Sequence, residues 1–244
     1  MVVVNASRDG TGEIAASGDV RVVHEAAPNR SRARNAGIAA ARVDLITFTD
    51  ADCVARPGWL AARPGWLAAL LACRGAAPLV AGPMEIDARS QPNAIERFEA
   101  FGRFDQATWM RELGWAATAN LMVEREAFNA IAWFDSTYPH IGEDVDFCVR
   151  AGRAGFALGF CAPAIVSPGA EHQLGAVIRR AFCNGYSAAQ VERRLGVGHV
   201  AWRIRAHWSR RGRRSRGTAY LQQTCRGGSA QRSPLSRQPP TPAA

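Results

Sequence analysis

Asp50 and Asp52 stand one residue apart, directly after Val43-Asp44-Leu45-Ile46-Thr47-Phe48-Thr49. That short apolar and β-branched run reads as a buried strand, and strand ends are where α/β folds place ligands. Two carboxylates spaced i and i+2 in a loop can converge on one hard divalent cation, which takes oxygen ligands and leaves positions for phosphate oxygens. This is a geometry for handling a pyrophosphate. An acidic turn that only caps the next helix has the same composition, so the pair alone leaves both readings open. A second acidic pair, Glu143-Asp144, follows about ninety residues later at the head of a helical pattern, where negative charge is favourable to the macrodipole in any case.

The elements around these residues alternate. Met1 to Asn5 reads as a strand, and Gly12 to Ala16 as a short helix with Asp9 or Thr11 as its cap. Val20 to His24 is a second strand, and Ser31 to Arg42 an Ala-rich helix capped by Ser31 or Asn29. Strand, helix, strand, helix, strand and then Asp-x-Asp implies a parallel α/β sheet. Further on, Leu79 to Ile86 reads as a strand, Ala94 to Phe104 as a helix, and Ala157 to Val166 as the last strand. An amphipathic helix, Leu174 to Arg194, follows with Val177, Ile178, Ala181, Phe182 and Tyr186 on its apolar stripe. Ala55-Arg56-Pro57-Gly58-Trp59-Leu60-Ala61 is repeated immediately as residues 62–68. Seven residues are about two helical turns, so the copy can extend a helix running to Leu71 without turning its apolar face, with Pro64 ending or kinking it. Trp59 and Trp66 are read as core residues against the sheet.

Composition narrows the classes. The 244 residues are 48% hydrophobic, enough for a packed core, and carry a formal charge of +9. Residues 199–244 hold ten arginines and no acid, so the rest of the chain is close to neutral and the charge describes the tail. All the basic charge is arginine. Six cysteines, without C-x-x-C pairs or a signal peptide before them, are read as free thiols of a reducing, cytoplasmic compartment. No run reaches the ~18 apolar residues of a membrane span, so any membrane contact is peripheral, at the inner face.

The ordered motifs resemble the family-2 glycosyltransferases with the GT-A fold. Val4-Asn5-Ala6-Ser7-Arg8-Asp9-Gly10-Thr11 is similar to that family's strand-two turn, and Ala33-Arg34-Asn35-Ala36-Gly37-Ile38 to its nucleotide-side helix. Phe48-Thr49-Asp50-Ala51-Asp52-Cys53 resembles its Asp-x-Asp, Trp115 to Val123 its acceptor-side segment, and Gly142-Glu143-Asp144-Val145-Asp146 its Glu-Asp helix start. The resemblance implies a Rossmann-like three-layer α/β sandwich with a mostly parallel central sheet. It also implies an inverting displacement in which an acceptor hydroxyl attacks a nucleotide-diphosphate sugar. Asp144 is then the base, with Glu143 beside it. Asp52, with Asp50, holds Mg²⁺ or Mn²⁺, and Asn5, Arg34, Asp50 and Asn120 meet the nucleotide-sugar. The acceptor is a glycan, lipid or small molecule, as in the building of cell-envelope polysaccharide, and no specific nucleic acid is expected.

The pattern departs from the family in three places. A strand and helix that usually precede the first matched turn are expected to be missing, Val4 stands where an acid commonly meets the base, and Ser167-Pro168 stand where many relatives place a metal-binding histidine. His172 is the nearest replacement and reads as a surface residue. The expected organisation is a transferase domain over 1–195, a helical extension over 196–208, and a disordered Arg/Ser/Pro-rich tail over 209–244 that can touch an anionic membrane. The alternative is a truncated, non-catalytic relative.

Overall fold

Residues 121–123 show how the sequence builds the layers. In a strand successive side chains point to opposite faces, and here Leu121 and Val123 join one buried cluster while Met122 joins another. Both faces of the sheet are therefore covered. The computed structural model describes residues 1–55, 65–86, 92–100, 104–139 and 141–196. The expectations for Trp59, for the first copy of the repeat, and for residues 197–244 lie outside them.

The strands are β1 (Val2–Asn5), β2 (Val22–Glu25), β3 (Leu45–Phe48), β4 (Cys53–Ala55), β5 (Leu79–Ala81), β6 (Leu121–Glu124), β7 (Leu158–Phe160) and β8 (Val166–Pro168). The helices are α1 (Thr11–Ser17), α2 (Arg30–Ala40), α3 (Trp66–Ala72), α4 (Ala94–Ala100), α5 (Gln106–Thr108, continued as a π-helix over Trp109–Leu113), α6 (Arg125–Ile131), α7 (Glu143–Arg153) and α8 (Leu174–Leu195). The central sheet has the order β3-β6-β5-β7. β6 is antiparallel to both neighbours and β5 is parallel to β7, so three of the four strands run one way.

On one face, Ile38 of α2, Ala127 and Phe128 of α6 and Phe147 and Ala151 of α7 pack with Ile46, Leu79, Leu121 and Val123. On the other, Ala69 and Leu70 of α3 cover Val80 and Met122. The result is the three-layer α/β sandwich expected from the motifs.

Several local expectations are corrected. β1 and β2 form a parallel pair of their own, and among the described residues β1 is bonded to no strand but β2, and β3 to none but β6. α2 lies across both units: a Cβ on Gly37 would sit 3.2 Å from Val3, while Ile38 packs beside Ile46. The expected last strand is two. β7 belongs to the central sheet, whereas β8 leaves it to pair antiparallel with β4, because Cys161 to Ile165 turn the chain away. The cap of α1 is Gly10, at φ 77, with Asp9 accepting from the Thr11 amide and hydroxyl. Asn29, one of the two expected caps of α2, accepts from the Arg32 amide. Helix α3 starts at Trp66, and the expectation for Pro64 lies outside the described residues.

The free-thiol expectation fails at two positions. Cys73, at the end of α3, and Cys161, just after β7, form a disulfide across 88 residues. The two segments pack against each other on one face of the sheet but lie far apart in sequence, so no local spacing announced the bond. Cys53, Cys148 and Cys183 are free.

A polar knot closes the end of the sheet. Asn120 is fully buried: its amide donates to the carbonyls of Pro83 (2.9 Å) and Ala164 (2.7 Å), and its oxygen accepts from the Trp66 indole (2.8 Å). Gln106 donates to the Gly82 carbonyl (2.7 Å) and accepts from the Ala117 amide (2.8 Å). Gly82 sits so close that a Cβ there would lie 2.0 Å from the Ala164 carbonyl oxygen. Backbone, not a flexible side chain, stands in the way. Gly82→Ala is therefore expected to cost about 1–3 kcal/mol of stability, as overpacking does, read as a lower urea midpoint with an unchanged slope.

Candidate active site

Helix α2 is stitched by its polar residues to the loop that leads into α7. Asn29 donates to the carbonyls of Ser136 and Tyr138 (both 3.1 Å), the Ser31 hydroxyl donates to Asp135 O (2.8 Å), and Asn35 both donates to and accepts from the Phe134 backbone (2.9 and 3.1 Å). Asn29, Ser31 and Asn35 received no binding role from the sequence. The signal was present in part, since Ser31 and Asn35 are four apart and share one side of the helix, with Asn29 as its cap.

These stitches aim Arg34. One arm of its guanidinium donates to a Glu143 carboxylate oxygen in α7, and the other reaches Asp50 Oδ1 at 3.4 Å, after β3. The Asp-x-Asp loop and the Glu-Asp pair, about ninety residues apart in sequence, thus share one cation. The floor is aromatic: Arg34 lies 5.7 Å over the Phe134 ring, which stacks on Phe147 at 4.5 Å. Burial works against the charge on Arg34, yet Glu143, Asp50 and Asp144 together hold its proton above the usual range. Glu143 is buried, while Asp50 is 45% exposed and keeps one side towards solvent.

Asp144 occupies the first turn of α7, behind Gly142. That glycine stands at φ 108, where a Cβ would also come within 3.0 Å of Val191. Asp144 Oδ1 accepts from the Val145 amide at 2.8 Å. Its carboxyl is pushed up to about 7, first by burial and then by the charge of Glu143, with Arg34 pulling the other way. A carboxyl poised there can take a proton near neutral pH.

Asp52 is exposed, and its carbonyl accepts from the Gly169 amide at 2.9 Å where β4 meets β8. The neighbouring Cys53 thiol is pushed up to about 12 by burial and by Asp52 and Asp50. Among the described residues no three His, Cys, Asp or Glu side chains gather around one point. His172 is exposed. Two carboxylates of one loop with solvent beside them suit a hard cation completed by phosphate oxygens and water, rather than a closed protein cage.

Two of the residues matched to the nucleotide-sugar site are engaged elsewhere. Asn5 donates to the carbonyls of Glu25 (3.1 Å) and Ala27 (2.6 Å) and accepts from the Asn29 amide (3.0 Å), and so ties the β1 and β2 turns to the start of α2. Asn120 is held in the buried knot. Gln106, which braces Asn120 and Gly82, was given no role by the sequence.

The fold is an α/β sandwich with charged loops gathered around one arginine. Residues 1–68 match the model of Glycosyl transferase family 2. It is 29% identical over 179 residues to the pre-mycofactocin glycosyltransferase of Mycobacterium tuberculosis, covering 70% of this chain and 37% of that protein. It is 28% identical over 199 residues to glycosyltransferase AglE of Haloferax volcanii, covering 78% of this chain and 62% of that one. The chain spans less than two thirds of the length of either relative. Mannosyl-3-phosphoglycerate synthase from Rubrobacter xylanophilus superposes on 78% of this chain and 62% of its own, with a TM-score of 0.47 and 19% identity.

The raised Asp144 has a consequence for stability. A folded pKa near 7, above the ordinary 3.8, means that the folded state holds a proton the unfolded chain has lost. The favourable contribution is complete below about 4 and disappears as pH rises through 7. Asp144→Asn is therefore expected to raise the melting temperature at pH 8 and to leave it nearly unchanged at pH 4, measured by circular dichroism.

Proposed function

We propose that this chain is an inverting glycosyltransferase that moves a sugar from a nucleoside-diphosphate donor to an acceptor hydroxyl. The observation that carries the reading is the shared arginine: Arg34 binds Asp50 and Glu143 at once, so the two acidic motifs form one cluster. Asp144 takes the proton of the acceptor hydroxyl as its oxygen attacks the anomeric carbon. The bond from that carbon to the diphosphate breaks on the opposite side. Glu143, neutralised by Arg34, orients the turn that bears the base. Asp52 and Asp50 would hold a Mg²⁺ or Mn²⁺, which when bound would neutralise charge on a departing diphosphate. The Arg-rich tail adds a peripheral contact with an anionic membrane surface.

A second reading is a relative that binds nucleotide-sugar without turnover. It is favoured by the engagement of Asn5 with backbone and of Arg34 with carboxylates, which leaves both turned inward. Nucleotide binding with no sugar transfer to any class of acceptor would establish it.

Two measurements test the first reading. UDP or GDP is expected to bind at least tenfold more tightly with Mn²⁺, and Asp52→Ala to remove that dependence; equal calorimetric affinity with and without metal would count against it. Asp144→Asn is expected to lower turnover by about 10²- to 10⁴-fold, the usual contribution of a positioned base, with donor affinity within a few-fold. In the unsubstituted chain the rate should rise with pH through about 7, as Asp144 ionises. A variant transferring sugar at the original rate would return the acidic pair to a plain helix start.

A further inference from the structure

Helix α8 is attached by one side and carries exposed apolar residues on the other. Ser187 and Val191 are buried, Val191 lying against Gly142, while Arg180 pairs with Glu99 at 2.5 Å and Arg194 with Asp135 at 3.3 Å. Its large apolar residues point elsewhere: Leu174 is 59% exposed, Ile178 61%, Phe182 77% and Tyr186 49%. Spaced by four, they form one stripe that turns by about 40° per step. Gly185 and Ala189 lie on the same side and are exposed, as are Arg179 and Arg193 along its border. An amphipathic surface helix normally turns its apolar stripe to the core. This one presents it outward.

We propose that the outer face of α8 lies on the surface of an anionic phospholipid membrane. The stripe would sit at the headgroup boundary, with Arg179 and Arg193 on lipid phosphates. An in-plane helix with arginines beside an apolar face is the pattern that binds there. No helix among the described residues is long and apolar enough to cross a membrane, so α8 lies along the surface rather than through it. Charge complementarity points the same way. The chain leaves the end of α8 into residues 199–244, with ten arginines, no acid, and Trp202 and Trp208 among them, and each basic residue near an anionic leaflet contributes ~1 kcal/mol. Area disfavours a second copy as the occupant. The stripe is roughly 18 Å by 10 Å, well below the ~800 Å² per partner of a standard interface. The inference adds a structured element to the tail contact and does not depend on transferase activity.

The test is flotation of the full chain with vesicles of phosphatidylcholine alone, or with about a third phosphatidylglycerol. The unsubstituted chain is expected with the anionic vesicles and not with the neutral ones. The double variant Ile178→Ser/Phe182→Ser should lose at least tenfold in partitioning at an unchanged melting temperature, since both side chains are exposed. Arg179→Gln/Arg193→Gln should lose several-fold, and 0.5 M NaCl should weaken the binding of the unsubstituted chain. Partitioning unchanged by the Ser variant would assign the contact to the tail alone and overturn the proposal. Equal binding to neutral vesicles, no binding to either, or light scattering showing a dimer that the Ser variant dissociates would overturn it as well.

Discussion

The arrangement depends on a largely buried guanidinium held between two carboxylates. An ionised Glu143 in that position costs several kcal/mol in desolvation, and it is tolerable because Arg34 compensates it at contact distance. Arg34 is stationary in turn because α2 is fastened on either side of it by Ser31 and Asn35. Its second arm sets Asp50 relative to α7. Breaking this pair would leave an uncompensated buried charge on Glu143.

The surroundings raise the stakes of that charge. Phe48, Phe128, Phe134 and Phe147 form a connected aromatic floor with ring centroids 4.5–6.0 Å apart. Such a floor cannot solvate ions, so each electrostatic interaction above it is stronger than in water. Asp144 registers this directly, with its proton held to about 7 despite an arginine nearby and a helix N-terminus beneath it. The Asp-x-Asp side is wetter. One end of the cluster is thus suited to proton transfer and the other to a hydrated cation and phosphates.

The far end of the sheet is held by neutral groups instead. Asn120 and Gln106 satisfy carbonyls of Gly82, Pro83 and Ala164 that would otherwise be buried without donors, and Gly82 permits the close approach. This knot fixes where β6 begins, and through the β3–β6 pairing it fixes the strand that delivers Asp50. The Cys73–Cys161 disulfide ties α3 to the segment after β7 on the opposite face from the charged cluster.

Local pattern determined much of this. Alternating apolar strands and Ala-rich helices, with caps, were enough for an α/β sandwich, and the acidic motifs were legible because their spacing is short. What lay beyond the sequence was long-range. That Arg34 would reach Glu143 rather than point outward depends on how α2 is stitched to residues 134–138, about a hundred positions away. The role of Asn120 as a buried brace follows from carbonyls contributed by three separate segments. The disulfide needed two segments distant in sequence that the fold packs together on one face of the sheet. The stripe of α8 was visible as a period, but a period does not say which way it faces. Only packing decided that Ser187 and Val191 point inward and Phe182 points out.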